Sequence, residues 1–179
     1  MPEAITPQQG FNDFWTWINA EIQSIETARA LKGGGGWEQW ALIQFLLWQT
    51  ARRPTVSYQR EFKVKGLRRA FDIAYNLPSN VPITPDKPLI LTQWKAKNDG
   101  NEASREAQTD LGTLQEFKQH IYTHVETVAG MKVPILPILV ILCPEQVNFQ
   151  GVQPSEKIGN SDVRLWTSTD KTLSAYGLL

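Results

Sequence analysis

Leu89-Ile90-Leu91-Thr92-Gln93-Trp94-Lys95-Ala96-Lys97 begins as an aliphatic run and ends polar. A short apolar run entered from prolines, here Pro85 and Pro88, reads as a buried strand. Its polar end leaves the core. Side chains alternate along a strand, so Gln93 and Lys95 share one face and Trp94 takes the other. Two stretches upstream also have strand character, residues 56 to 64 and 68 to 76, with Lys65-Gly66 as the turn between them. Asp72 lies in the second, between Phe71 and Ile73. Alternation predicts those two neighbours on one face and Asp72 on the opposite one. A carboxylate placed there needs a partner, because an unpaired buried charge is costly. A cation, Arg69 and Lys95 are the candidates. If the last two strands pair, Asp72, Gln93 and Lys95 converge.

Helical patterns flank these strands. Phe11, Phe14, Trp15, Ile18, Ile22, Ile25 and Leu31 recur at helical spacing over 11 to 31, and Gly33 to Gly36 ends that helix. The tract precedes a helix but lacks the Lys-Ser/Thr of a phosphate loop, so it reads as a flexible hinge. Residues 37 to 51 form a second helix, apolar nearly all round and therefore expected to be buried; Pro54 stops it. The tryptophans at 15, 17, 37, 40 and 48 are mostly core in this reading, with an exposed pair able to stack on bases. Apolar periodicity predicts a long helix over about 101 to 129, from Ala103 through Val128. Residues 135 to 143 read as a buried strand after Pro137, ending in Cys143, an inert buried thiol. Val163 to Thr167 is a last short strand. The order α-α-β-β-β-α-β, with that final β, predicts an α/β fold: a mixed central sheet flanked by helices.

The 179 residues suffice for one domain with a real core, and 41% hydrophobic against 20% charged excludes a disordered or membrane-embedded chain. No apolar run is long enough to span a bilayer, and Met1-Pro2-Glu3-Ala4 lacks a secretory pattern. The single cysteine excludes an internal disulfide framework and disfavours zinc. A cytoplasmic chain is expected. Formal charge is zero, yet Arg52, Arg53, Arg60, Lys63, Lys65, Arg68 and Arg69 cluster with Glu61 alone opposing them. That block is either a solvated surface or a local basic face for nucleic acid.

Asp72, the Gln93 amide oxygen and the Trp94 carbonyl are hard oxygen donors of the kind Mg²⁺ takes while keeping several waters. A bound Mg²⁺ lowers the pKa of water and offsets developing charge; Lys95 would orient the attacking water and neutralise a phosphate. Glu38, near the start of the second helix, could add a carboxylate. Glu38, Asp72 and Gln93-Trp94-Lys95, in an order helix, three strands, helix, strand over residues 37 to 143, resemble the PD-(D/E)XK, or restriction-endonuclease-like, nuclease superfamily. About three fifths of the chain carries the resemblance.

The resemblance implies a single nuclease-like domain over 1–179, with an αβββαβ core at about 37–143. Residues 1–32 would be an added N-terminal helix, and 144–179 a C-terminal extension. It implies Asp72 as the metal-binding aspartate, Lys95 as the catalytic lysine and Glu38 as an additional ligand. Gln93 stands where the family usually has Asp or Glu. The implied activity is Mg²⁺- or Mn²⁺-dependent hydrolysis of nucleic-acid phosphodiesters, DNA before RNA. Arg52, Arg53, Lys63, Lys65, Arg68, Arg69 and Lys97 would contact the nucleic acid. In this superfamily the helix after the third strand often lines the groove, which here offers Arg105, Gln108, Gln115 and Lys118. Two other readings compete. One is a catalytically impaired module that binds nucleic acid or protein; the other is a nuclease toxin or effector held by an immunity protein. A homodimer and a regulatory or immunity protein are the protein partners these readings admit; a membrane is not. His120 and His124 are four apart on the long helix, but no Glu completes a zinc-protease pattern, and a structural or surface role is the better reading. Asp72 and Lys95 as an ordinary salt bridge is the plain alternative for the whole cluster.

Overall fold

The computed structural model describes residues 2–32, 37–63, 69–110, 135–144, 152–154 and 164–168. The chain is an α/β protein. Its helices are α1 (Pro7–Ala20), α2 (Ile22–Lys32), α3 (Glu38–Arg52) and α4, whose described part is residues 100–110. Its strands are β1 (Tyr58–Lys63), β2 (Ala70–Tyr75), β3 (Leu89–Ala96), β4 (Ile135–Cys143), β5 (Val152–Pro154) and β6 (Arg164–Ser168).

Thr6 starts α1 with a capping box. Its hydroxyl accepts the Gln9 N–H at 3.2 Å, and Gln9 Oε1 accepts the Thr6 N–H at 2.7 Å. Pro7 takes the first helical position, where no N–H is needed. The single helix expected over 11–31 is two helices, because the backbone leaves helical geometry at Glu21. Phe14, Trp17 and Ile18 before the break and Ile25 and Ala28 after it are all buried. The apolar spacing therefore runs through the break without recording it. The helix expected at 37–51 is α3, but it is not buried all round: Ile43 and Leu47 are 40% and 60% exposed. The expected long helix is present through residue 110. Asp99 begins it, accepting the N–H groups of Asn101 and Glu102 at 2.7 and 2.9 Å. The stretch 111–129, with Gln115, Lys118, His120, Tyr122 and His124, lies outside the described residues, as does the Gly33–Gly36 tract.

The strands form one mixed sheet in the order β1-β2-β3-β4-β6-β5. β1, β2 and β3 are an antiparallel meander, and β4 returns parallel to β3 after the α4 connection. β6 pairs antiparallel with β4, and β5 with β6; β5 had no counterpart in the sequence reading. β4 begins before Pro137 rather than after it, with Pro137 opposite Leu91. The proline is tolerated because β6 pairs only with Val140 to Cys143, leaving the first half of β4 with β3 as its one partner strand among the described residues.

One face of the sheet carries Ile73, Tyr75, Ile90, Trp94, Ile138 and Val140 against α1 and α3. The Trp94 ring is its hub, 5.3 Å from Phe14, 5.2 Å from Phe45 and 6.2 Å from Trp17. The N-terminal helix α1 is thus part of the core layer. On the opposite face Phe71, Leu77, Leu89, Leu91 and Ile135 form a second cluster. Ala103 and Ala107 of α4 cover Leu139, Ile141 and Cys143 there. Phe71 and Ile73 therefore belong to different clusters, contrary to simple alternation about Asp72. No helix among the described residues is long and apolar enough to cross a membrane.

Candidate functional site

The β2–β3 ladder runs through Tyr75–Ile90, Ala74–Leu91 and Ile73–Thr92, and stops there. Asp72 and Gln93 are the next residues on each strand, so they stand at the fork. Their side chains replace the missing ladder bonds. Asp72 Oδ2 accepts the Trp94 N–H at 2.7 Å, and Gln93 Nε2 donates to the Ala70 carbonyl at 2.8 Å. Buried backbone groups need such partners where a sheet opens. The other side of Asp72 is irregular too. The β1–β2 register passes from Arg60–Ile73 to Phe62–Phe71, and Glu61, at φ 49°, lies in the left-handed region. No residue is inserted here, since the register is the same on both sides, and the change of cluster at Phe71 coincides with this irregular backbone.

Lys95 follows two residues after Gln93 on the same face. Its Nζ donates to the Trp94 carbonyl at 2.8 Å and lies 3.1 Å from Asp110 Oδ2 and 3.6 Å from Glu38 Oε2. Glu38 stands in the first turn of α3, where the helix dipole favours a negative charge. Asp110, on α4, is 4% exposed, and Arg69 Nη1 reaches its Oδ1 at 3.4 Å. Four elements thus bring Glu38, Asp72, Gln93, Lys95 and Asp110 into one cluster. Arg69, one of the proposed partners for Asp72, is used by Asp110 instead.

Burial raises the pKa of Glu38, with Lys95 opposing and the Asp72 charge adding to the rise. Burial also raises that of Asp72, against the Trp94 N–H bond and Lys95. Asp110 is raised by burial as well, opposed chiefly by Lys95. Burial works against the Lys95 charge, yet Asp110, Glu38 and Asp72 together outweigh it and raise its pKa. The cluster is therefore rich in negative charge that water does not fully solvate, which is the condition a divalent cation relieves.

No three His, Cys, Asp or Glu side chains among the described residues are grouped to hold a metal. Mg²⁺ asks for only one or two carboxylates and retains its waters. Asp72 commits Oδ2 to Trp94, and Oδ1 has no hydrogen-bond donor among the described residues. Gln93 commits its amide nitrogen to Ala70, which leaves its oxygen as the acceptor. The Trp94 carbonyl accepts from Lys95.

Asp110 is the site residue that sequence reasoning missed. It lies three residues after Ala107 and seven after Ala103, hence on the buried stripe of α4. An acid on an apolar stripe signals a buried cationic partner. The nucleic-acid candidates scatter. Arg52 is exposed and lies over the Trp48 ring at 4.6 Å, Arg53 pairs with Asp13 at 3.1 Å, and Lys63 is exposed. Lys97 is held by Glu102 and Glu106 at 3.2 and 2.8 Å. Arg105 and Gln108 are exposed on α4, while Lys65 and Arg68 lie outside the described residues. Comparison with known proteins finds no matching family model, no matching curated relative and no matching solved structure.

Proposed function

We propose that this chain hydrolyses nucleic-acid phosphodiesters, DNA by preference, at a PD-(D/E)XK-type site that uses Mg²⁺ or Mn²⁺. The observation that carries the reading is the fork between β2 and β3. There Asp72, Gln93 and Lys95 stand together, with Glu38 supplied by α3. Asp72, Glu38 and the Gln93 oxygen would hold the ion. When bound, it supplies a more acidic water and charge neutralisation at the scissile phosphate. Asp72 is kept in place by the Trp94 N–H. Lys95, protonated throughout the neutral range, offsets charge on the phosphate oxygens. The Trp94 ring packs on Phe45 and so holds β3 against α3.

The test is cleavage of single- and double-stranded DNA with Mg²⁺ and with Mn²⁺, run beside Asp72→Asn and Lys95→Ala. Cut product from the wild type and none from either variant is the expected result. Equal cutting by all three removes the assignment. The engagement of Lys95 by both Glu38 and Asp110 favours a second reading, a non-cleaving binding module whose lysine is structural. It predicts no product with either metal but salt-sensitive retention of DNA.

A further inference from the structure

We propose that Glu38, Asp110 and the Trp94 carbonyl form a cation position that Lys95 occupies here and yields to a divalent ion, so that Asp110 supplies the second strong ligand that Gln93 does not. The inference rests on the metal-dependent reading above and extends it to a residue outside the β2–β3 fork. Three oxygens from three elements surround one ammonium: Trp94 O at 2.8 Å, Asp110 Oδ2 at 3.1 Å and Glu38 Oε2 at 3.6 Å. They are a carbonyl and two carboxylates, the hard donors that Mg²⁺ and Mn²⁺ take.

The lysine fits this position incompletely. Asp110 Oδ2 is shut off from solvent and, among the described residues, faces the Lys95 ammonium at 3.1 Å off the ideal hydrogen-bond direction. A buried carboxylate oxygen left so has unspent capacity for a cation. Arg69 Nη1 lies 3.4 Å from the other oxygen, Oδ1. Gln93, neutral and tied to Ala70, brings no charge to the fork. Asp110 restores that charge from α4. Lys95, once released from this clamp, becomes available to a bound phosphate. Ion binding and the presentation of the lysine are then one event.

Mn²⁺ affinity, measured by calorimetric titration without substrate, tests this in the wild type, Asp72→Asn, Asp110→Asn, Lys95→Met and the double variant Lys95→Met/Asp110→Asn. Asp110→Asn is expected to weaken Mn²⁺ binding by about tenfold or more, the scale of losing a group at a metal centre. Lys95→Met is expected to tighten binding, because the competing ammonium is gone, and the double variant to lose that gain. Unchanged affinity in Asp110→Asn, with binding lost in Asp72→Asn, overturns the role of Asp110 and leaves the metal-dependent reading standing. No Mn²⁺ binding by the wild type or by Lys95→Met overturns both. Should Asp110→Asn alone fail to fold, Lys95→Met and the double variant decide: equal affinities overturn the proposal, and a weaker double variant supports it.

Discussion

Asp72 does two jobs that pull its chemistry in opposite directions. It closes the fork by accepting the Trp94 N–H, and it stands as a charge among other charges that burial disfavours. Its raised pKa has a definite consequence for stability. As pH rises through the carboxylate range, the folded protein retains a proton that the unfolded chain has already released. Stability therefore falls across that window instead of rising. Asp72→Asn removes this contribution while keeping an oxygen for the Trp94 N–H. The melting temperature of the wild type relative to Asp72→Asn should drop in a chelator as pH rises through and above the ordinary carboxylate range. Added Mg²⁺ should reduce the drop. A difference that stays flat with pH contradicts the assignment. The shared face of Gln93 and Lys95 was legible in the sequence from period-two alternation, whereas alternation about Asp72 fails because Phe71 and Ile73 join different clusters. The hydrogen bonds were not legible. Neither Asp72 to Trp94 nor Gln93 to Ala70 follows from alternation, since both arise where the ladder fails. Asp110 was hidden for a related reason: its partners are 15 and 41 residues away in the chain.

The elements rest on different physical grounds. β3 is held by the Trp94 ring among Phe14, Trp17 and Phe45, and its backbone at the same residue contacts Asp72 and Lys95. Trp94→Ala should cost about 3–5 kcal/mol in urea unfolding, the range for emptying a buried aromatic site. It should lower metal affinity too, because the site is built on that strand. Asn76 pins the chain at the end of β2. It is fully buried, lies at φ 57°, accepts the Ile5 N–H at 2.8 Å and donates to the Ile5 and Pro88 carbonyls at 2.7 Å each. Asn76→Ala should cost at least about 2 kcal/mol, since several buried backbone groups lose their partner; a loss within error of zero in the same denaturation experiment contradicts that account. The meander β1-β2-β3 and the crossover to β4 were readable from apolar runs and prolines. The break at Glu21 was not, because both helices turn apolar residues to one core. The placement of Pro137 within β4 depends on how far β6 reaches, which no local pattern encodes.

At the scale of the whole molecule, a formal charge of zero hides an uneven surface. Lys95 and Lys97 are enclosed by acids of α3 and α4, whereas Arg52 and Lys63 remain exposed. If DNA contacts Lys63, Lys63→Ala should reduce the slope of log affinity against log salt by about one unit and leave the metal affinity unchanged. An unaltered slope places the nucleic acid elsewhere. The central claim is that side chains from α3, β2 and β3 act together on a phosphodiester. Single-turnover cleavage of plasmid DNA in Mn²⁺, comparing wild type with Asp72→Asn at matched folded concentration, tests it most directly. The account predicts nicking or linearisation by the wild type and a loss of about 10²-fold or more in the variant, the scale of removing a group that stabilises transition-state charge. Equal rates for the two proteins, or no cleavage by the wild type in either Mn²⁺ or Mg²⁺, would contradict it.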